Sequence, residues 1–179
     1  MRYRVLIMLT ALALVSSWGL FACSRRGESA SISEPTLSQG PIYILPADPD
    51  SLGKVTVAGI DADTDGVRDD VQIRIHTTYY DSASRSATRQ LAEAFQDFLV
   101  QGTDKPGALA AAASLNSAID CLYSMDPENF GDLVDGVEAA VINTSARSKA
   151  YARAGAFISG GIFTVSTVAD NAASCRETP

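Results

Sequence analysis

The sequence predicts a mainly α protein: a single helical domain of about four to six helices, preceded by an irregular N-terminal segment that carries an acidic loop. Three observations lead there. From Asp70 onward the pattern looks helical, with apolar residues recurring at helical spacing. Cap and breaker residues punctuate those stripes at sensible lengths. The stretch before residue 70 has prolines, glycines and aspartates in place of any sustained period.

The first helix of the series is expected from about Ser84 to Val100. Ala87, Leu91, Ala94, Phe95 and Phe98 form its apolar stripe, with Arg89, Glu93, Gln96 and Asp97 between them, and Gly102 ends it. Pro106 opens a second run, Ala108 to Ser124, with Leu109, Ala112, Ala113, Ile119 and Leu122 on one side and alanines that allow close packing. Asp126-Pro127 reads as an N-cap followed by a first helical residue. Phe130, Leu133, Val134, Val137 and Val141 then mark a third stripe. Asn143 or Thr144 caps a fourth run through Tyr151, Ala154, Phe157 and Ile158, stopped by Gly160-Gly161. Ile162 to Ser174 fits a strand or a helix, and helix is preferred. Ahead of these, Pro41 to Asp50 is expected to be extended because of its prolines. Lys54 to Ile60 reads as a short strand or an extended lead-in.

The N-terminus has a different character. Arg2 and Arg4 precede an apolar run from Val5 to Leu20, about 16 residues and short of the ~20 that span a bilayer. Leu20-Phe21-Ala22-Cys23 closes it. A cationic start, a short apolar core and a small residue at the exit describe a secretory signal. The last four residues resemble the lipobox of bacterial lipoprotein precursors. That resemblance implies diacylglycerol on the Cys23 thiol and cleavage between Ala22 and Cys23. It also implies anchoring to a membrane through that lipid. In a Gram-negative cell, Ser24 rather than Asp after the cysteine implies the outer membrane, facing the periplasm. The expected organisation is a signal peptide over 1–22, lipidated Cys23 with a flexible tether over 23–40, and the helical domain over 41–179. The tether is rich in Ser, Glu, Gly and Arg.

With Cys23 assigned to lipid, Cys121 and Cys175 are left over. In an exported chain such a pair reads as one disulfide. Loss of Arg2 and Arg4 with the signal leaves 12 basic against 21 acidic side chains, a formal charge of −9 on 157 residues. That balance disfavours nucleic acid and anionic headgroups, and it suits divalent cations.

The stretch Gly59 to Gln72, GIDADTDGVRDDVQ, carries the chemistry. Asp61, Asp63 and Asp65 alternate, so a curling backbone brings their carboxylates to one point. Gly66 then permits the sharp turn that aims the Val67 carbonyl at an ion. Hard Ca²⁺ takes several oxygens at about 2.3–2.6 Å. Asp69 falls at the ninth loop position, where a ligand often acts through water, and Gln72 at the twelfth. The loop over 61–72 resembles the calcium loops of EF-hand, dockerin and thrombospondin type 3 proteins. Gln72 stands where the EF-hand pattern has a bidentate Glu, which points to a weak site of the extracellular class, about 10⁻⁴ to 10⁻³ M. The wider stretch resembles a family of bacterial exported proteins with such a loop ahead of a helical domain, a resemblance to which no activity is attached. A structural alternative is an Asp-rich solvated turn, with Asp69 or Asp70 capping the next helix.

His76 is the single histidine, and a lone histidine lacks the positioned partners that catalysis needs. No nucleophile elbow or phosphate-binding glycine loop occurs. The expected role is therefore that of a lipid-anchored envelope protein with a structural calcium loop, more interaction module than enzyme. A hydrolytic enzyme using the acidic-loop metal is the alternative. It would need a cleft lined by Asp69, Asp70, His76 and Tyr79.

Overall fold

The long amphipathic stripe around Leu91, Phe95 and Leu99 becomes the central helix of the protein. The computed structural model describes residues 44–161 and 172–176. Among these residues are five helices: α1 (Asp69–Thr78), α2 (Ser82–Gln101), α3 (Lys105–Met125), α4 (Phe130–Val141) and α5 (Ser145–Ile158). Short 3-10 turns occur at Leu52–Lys54 and Ala172–Ser174. There is no strand among the described residues. Helix α2 packs against all four other helices.

The core follows from that arrangement. Leu91, Phe95 and Leu99 of α2 are buried with Val71 and Ile75 of α1, Ala118 and Leu122 of α3, Val137 and Val141 of α4, and Ala150 of α5. A smaller cluster holds Phe98, Ala111, Ala112 and Ala154. The Tyr151 ring joins the two clusters, 5.6 Å from Phe98 and 6.3 Å from Phe95. Ala111 and Ala112 of α3 share that smaller cluster with Ala154 of α5.

Helix starts obey side-chain chemistry. Asp81 Oδ1 accepts from the Ser84 N–H at 2.7 Å, Asp104 Oδ1 from Gly107 at 2.8 Å, and Thr144 Oγ1 from Arg147 at 3.2 Å. Each satisfies an N–H that has no partner within the helix. Pro106 sits in the first turn of α3.

Three expectations need adjustment. The Asp126 carboxylate does accept from the Asn129 N–H at 3.1 Å. Asn129 itself adopts φ −114° and ψ 2°, so regular helix begins at Phe130 and not at Pro127. The helical pattern after Asp70 is two helices, because Tyr79 is extended and Asp81 caps a new start. Lys54 to Ile60 is no strand. Side chains take three of its carbonyls, Thr56 and Val57 by Arg147 and Ala58 by Gln96, and Arg147 also binds that of the preceding Gly53. Of the ambiguous tail, 162–171 lies outside the described residues, and Ala172–Ser174 is a 3-10 turn.

Candidate metal centre

The acidic loop is closed at its base by two bonds. The Asp69 N–H donates to the Ile60 carbonyl at 2.9 Å, and the Ala62 N–H donates to Asp69 Oδ1 at the same distance. Between these ends the backbone curls tightly. Asp61 accepts from the N–H groups of Asp65 and Gly66, and Asp65 Oδ1 from that of Val67. Thr64 and Gly66 take positive φ, 59° and 88°. A Cβ at Gly66 would lie 3.1 Å from Glu93 Cγ on α2, so the loop rests against that helix.

This curl brings one oxygen each of Asp61, Asp63 and Asp65 within 4.8 Å of one another. Oxygens that share one Ca²⁺ at about 2.3–2.6 Å from the ion stand no more than about 5.2 Å apart, so the donor set suits such an ion. The two other predicted side-chain ligands behave differently. Asp69 is buried at the base of the loop and lies outside the convergence, its Oδ1 accepting from Ala62. Its first role is to tie the loop to α1. Gln72 does reach the carboxylates, but through its amide nitrogen: Nε2 donates to Asp63 at 3.0 Å and to Asp65 at 2.8 Å. Val67 packs its side chain in the core.

Charge within the loop is unevenly spread. Burial raises the pKa of Asp61, with contributions from Asp63 and Asp65, against the opposing N–H bonds of Gly66 and Asp65. The Gln72 hydrogen bond holds Asp63 below the ordinary carboxylate range, aided by Asp61 and the Arg89 charge. Arg89, on α2, forms an ion pair with Asp65. The polar position of Arg89 on the α2 stripe is legible in sequence, but its reach across to the loop is not.

Two buried arginines frame the loop, and periodicity marks neither. Arg68 is 1% exposed. It grips Asp70 with two bonds, at 2.9 and 3.1 Å, and donates to Gln96 and to the Ala140 and Val141 carbonyls at the end of α4. A cation there complements the negative helix terminus. Arg147 is 0% exposed and touches no carboxylate among the bonds described. It donates to Asn143 Oδ1 and to the carbonyls of Gly53, Thr56 and Val57. Burial lowers its pKa, as does the neighbouring Arg68 charge, while Asp70 opposes both. Gly59, at φ 72°, lies between the two side chains. A Cβ there would come within 2.2 Å of Arg68 Cδ and 2.8 Å of Arg147 Nη2.

The depression beside Asp70 does not gather the residues that a catalytic reading requires. The Asp70 carboxylate is engaged by Arg68 and Asn143. It lines an open, polar depression of about 580 Å³ with Asp48, Lys54, Arg74 and Thr77, a lining that includes none of Asp69, His76 and Tyr79. Elsewhere, Cys121 and Cys175 meet with their sulfurs at bonding distance, 2.07 Å, fixing the C-terminal segment to α3. Gln90 holds the same segment, donating to the Ser174 carbonyl and accepting from the Arg176 N–H, both at 2.8 Å. Cys23 lies outside the described residues. No described helix is long and apolar enough to cross a membrane. Comparison of the chain with protein-family profiles, curated proteins and solved structures finds no match.

Proposed function

We propose that this is an exported, lipid-anchored envelope protein whose acidic loop holds a structural Ca²⁺, serving an interaction or structural role. The observation that carries the metal reading is the convergence of Asp61, Asp63 and Asp65. These three supply the direct ligands, with the Val67 carbonyl as a further donor. Gln72 already touches two of the three carboxylates, and with its amide reversed it offers an oxygen in the same region. Bound there, the ion neutralises carboxylates of which Arg89 pairs with only one, and so stiffens the segment ahead of α1. The anchoring reading rests on the Leu20 to Cys23 lipobox, and the disulfide reading on the oxidising compartment that anchoring implies.

Calorimetry and thermal unfolding of the mature chain test the metal. At Ca²⁺ about tenfold above Kd, stabilisation of about 1.4 kcal/mol is expected. That raises the melting temperature by a few degrees, about 3–6 °C. Asp61→Ala abolishes both the heat and the shift. Neither heat nor shift at millimolar Ca²⁺ would overturn the reading. Mass spectrometry of the N-terminal peptide tests the anchor: an unmodified Cys23 thiol, or an uncleaved signal, would exclude it.

A further inference from the structure

The turn at Leu52–Lys54 is held from behind and bare in front. In a 3-10 turn, residues three apart eclipse, so Leu52 and Val55 project together. Both are strongly exposed, at 67% and 74%, with Lys54 exposed between them. Ile44, at 82%, belongs to the same segment. Such aliphatic exposure is common on loose loops, but this turn is fixed. Its backbone bonds run from Leu52 and Gly53 to Pro49, and from Val55 to Leu52. Gly53 is buried, and a Cβ there would come 2.8 Å from Pro49 Cγ. The buried Arg147 guanidinium binds the carbonyls of Gly53, Thr56 and Val57 from the inner side. A buried guanidinium with three of its four bonds on this segment presents two aliphatic side chains rigidly to the outside.

We propose that Leu52 and Val55 form a knob that dips into the lipid surface to which the chain is anchored, orienting the domain on the bilayer. The inference rests on the anchoring reading above. The occupant follows from position and size. The described residues begin at Ile44, only 21 residues from Cys23, so this segment is the part of the domain nearest the anchor along the chain. Two or three aliphatics are too few for a stable protein interface, which takes roughly 1,200 Å² or more. They suffice at a bilayer when a tether makes contact effectively intramolecular. Lys54 keeps its ammonium among headgroups while its stem lies along the apolar side chains. Exposed Asp48 and Asp50 nearby, and the acidic charge of the mature chain, direct the knob to zwitterionic rather than anionic lipid.

The only tryptophan, Trp18, lies in the signal region, so the mature chain offers a dark background. Leu52→Trp, and Leu109→Trp on α3 as control, are each placed in phosphatidylcholine vesicles carrying brominated acyl chains. The natural lipid form is used, and in parallel protein coupled through the Cys23 thiol to a maleimide lipid. The expected result is a blue-shifted, bromine-quenched emission for Trp at 52 and a solvent-like, unquenched emission at 109. The effect weakens when phosphatidylglycerol replaces half the lipid. Equal, unquenched emission at both positions overturns the knob. Shielding at 52 that needs high protein concentration and is insensitive to bromine also overturns it, and assigns the patch to a second protein copy. A Cys23 without lipid in the natural form refutes the anchoring reading separately, because the maleimide form still reports on the knob.

Discussion

Arg147 stands on α5 among small residues, where an arginine ordinarily points to water. Here its guanidinium is buried under the turn that it supports. Arg147→Ala leaves the carbonyls of Gly53, Thr56 and Val57 without their donor, and a loss of about 3 kcal/mol or more is expected in urea unfolding. Arg147→Lys should recover only part of it, since an ammonium lacks the fork that spans these acceptors. Asp70 yields a pH prediction. Burial alone would raise its pKa, but the Arg68 hydrogen bonds and charge, with Asn143 and Arg147, hold it below 3.8. A carboxyl lowered in the folded state stabilises fully above its unfolded pKa and loses that contribution as pH falls through the folded value. Acid unfolding of the parent chain should therefore be steeper below pH 3.8 than that of Asp70→Asn. At this scale the sequence is least informative. The Asp61, Asp63 and Asp65 spacing reveals their convergence because it is local. Arg68, Arg89 and Arg147 act across tens of residues, and nothing in their neighbours says so.

Among the helices, legibility tracks whether the signal is local. The α2 stripe places that helix within about two residues at each end, because packing period and breaker agree. The start of α3 is set by Asp104 and Pro106. Asp104→Ala should cost about 1 kcal/mol, read by urea unfolding, since the Gly107 N–H loses its acceptor. The break between α1 and α2 is obscure because Tyr79 and Tyr80 are tolerable helix residues. It takes the packing of α1 across α2 to separate them. The Lys54 to Ile60 stretch misleads for a related reason. Its β-branched residues suit a strand, yet no neighbouring strand exists among the described residues and side chains take the carbonyls.

For the molecule as a whole, the first and last of the described segments are bound to the middle. The N-terminal segment is held by α5 and α2, and the C-terminal segment by Cys121, Gln90 and Glu93. A bond between Cys121 and Cys175, 54 residues apart, contributes at most about 4 kcal/mol by restricting the unfolded chain. Replacing both cysteines with serine should lower unfolding stability by up to that amount. Peptide mapping without reductant should recover the two as one linked species, and two free thiols would exclude the bond.

The Gly59 position gives the fold a fingerprint for tracing ancestry. Aspartate-rich glycine turns arise readily, and a chain can gain or lose them without changing its architecture. A glycine wedged between Arg68 and Arg147 is harder to alter piecemeal, since any side chain at 59 collides with both. In a lineage that keeps this architecture, the three positions should therefore persist or change together, even where the aspartates have drifted. Sequences sharing only the aspartates would then be convergent, and those sharing the glycine and both arginines would be kin.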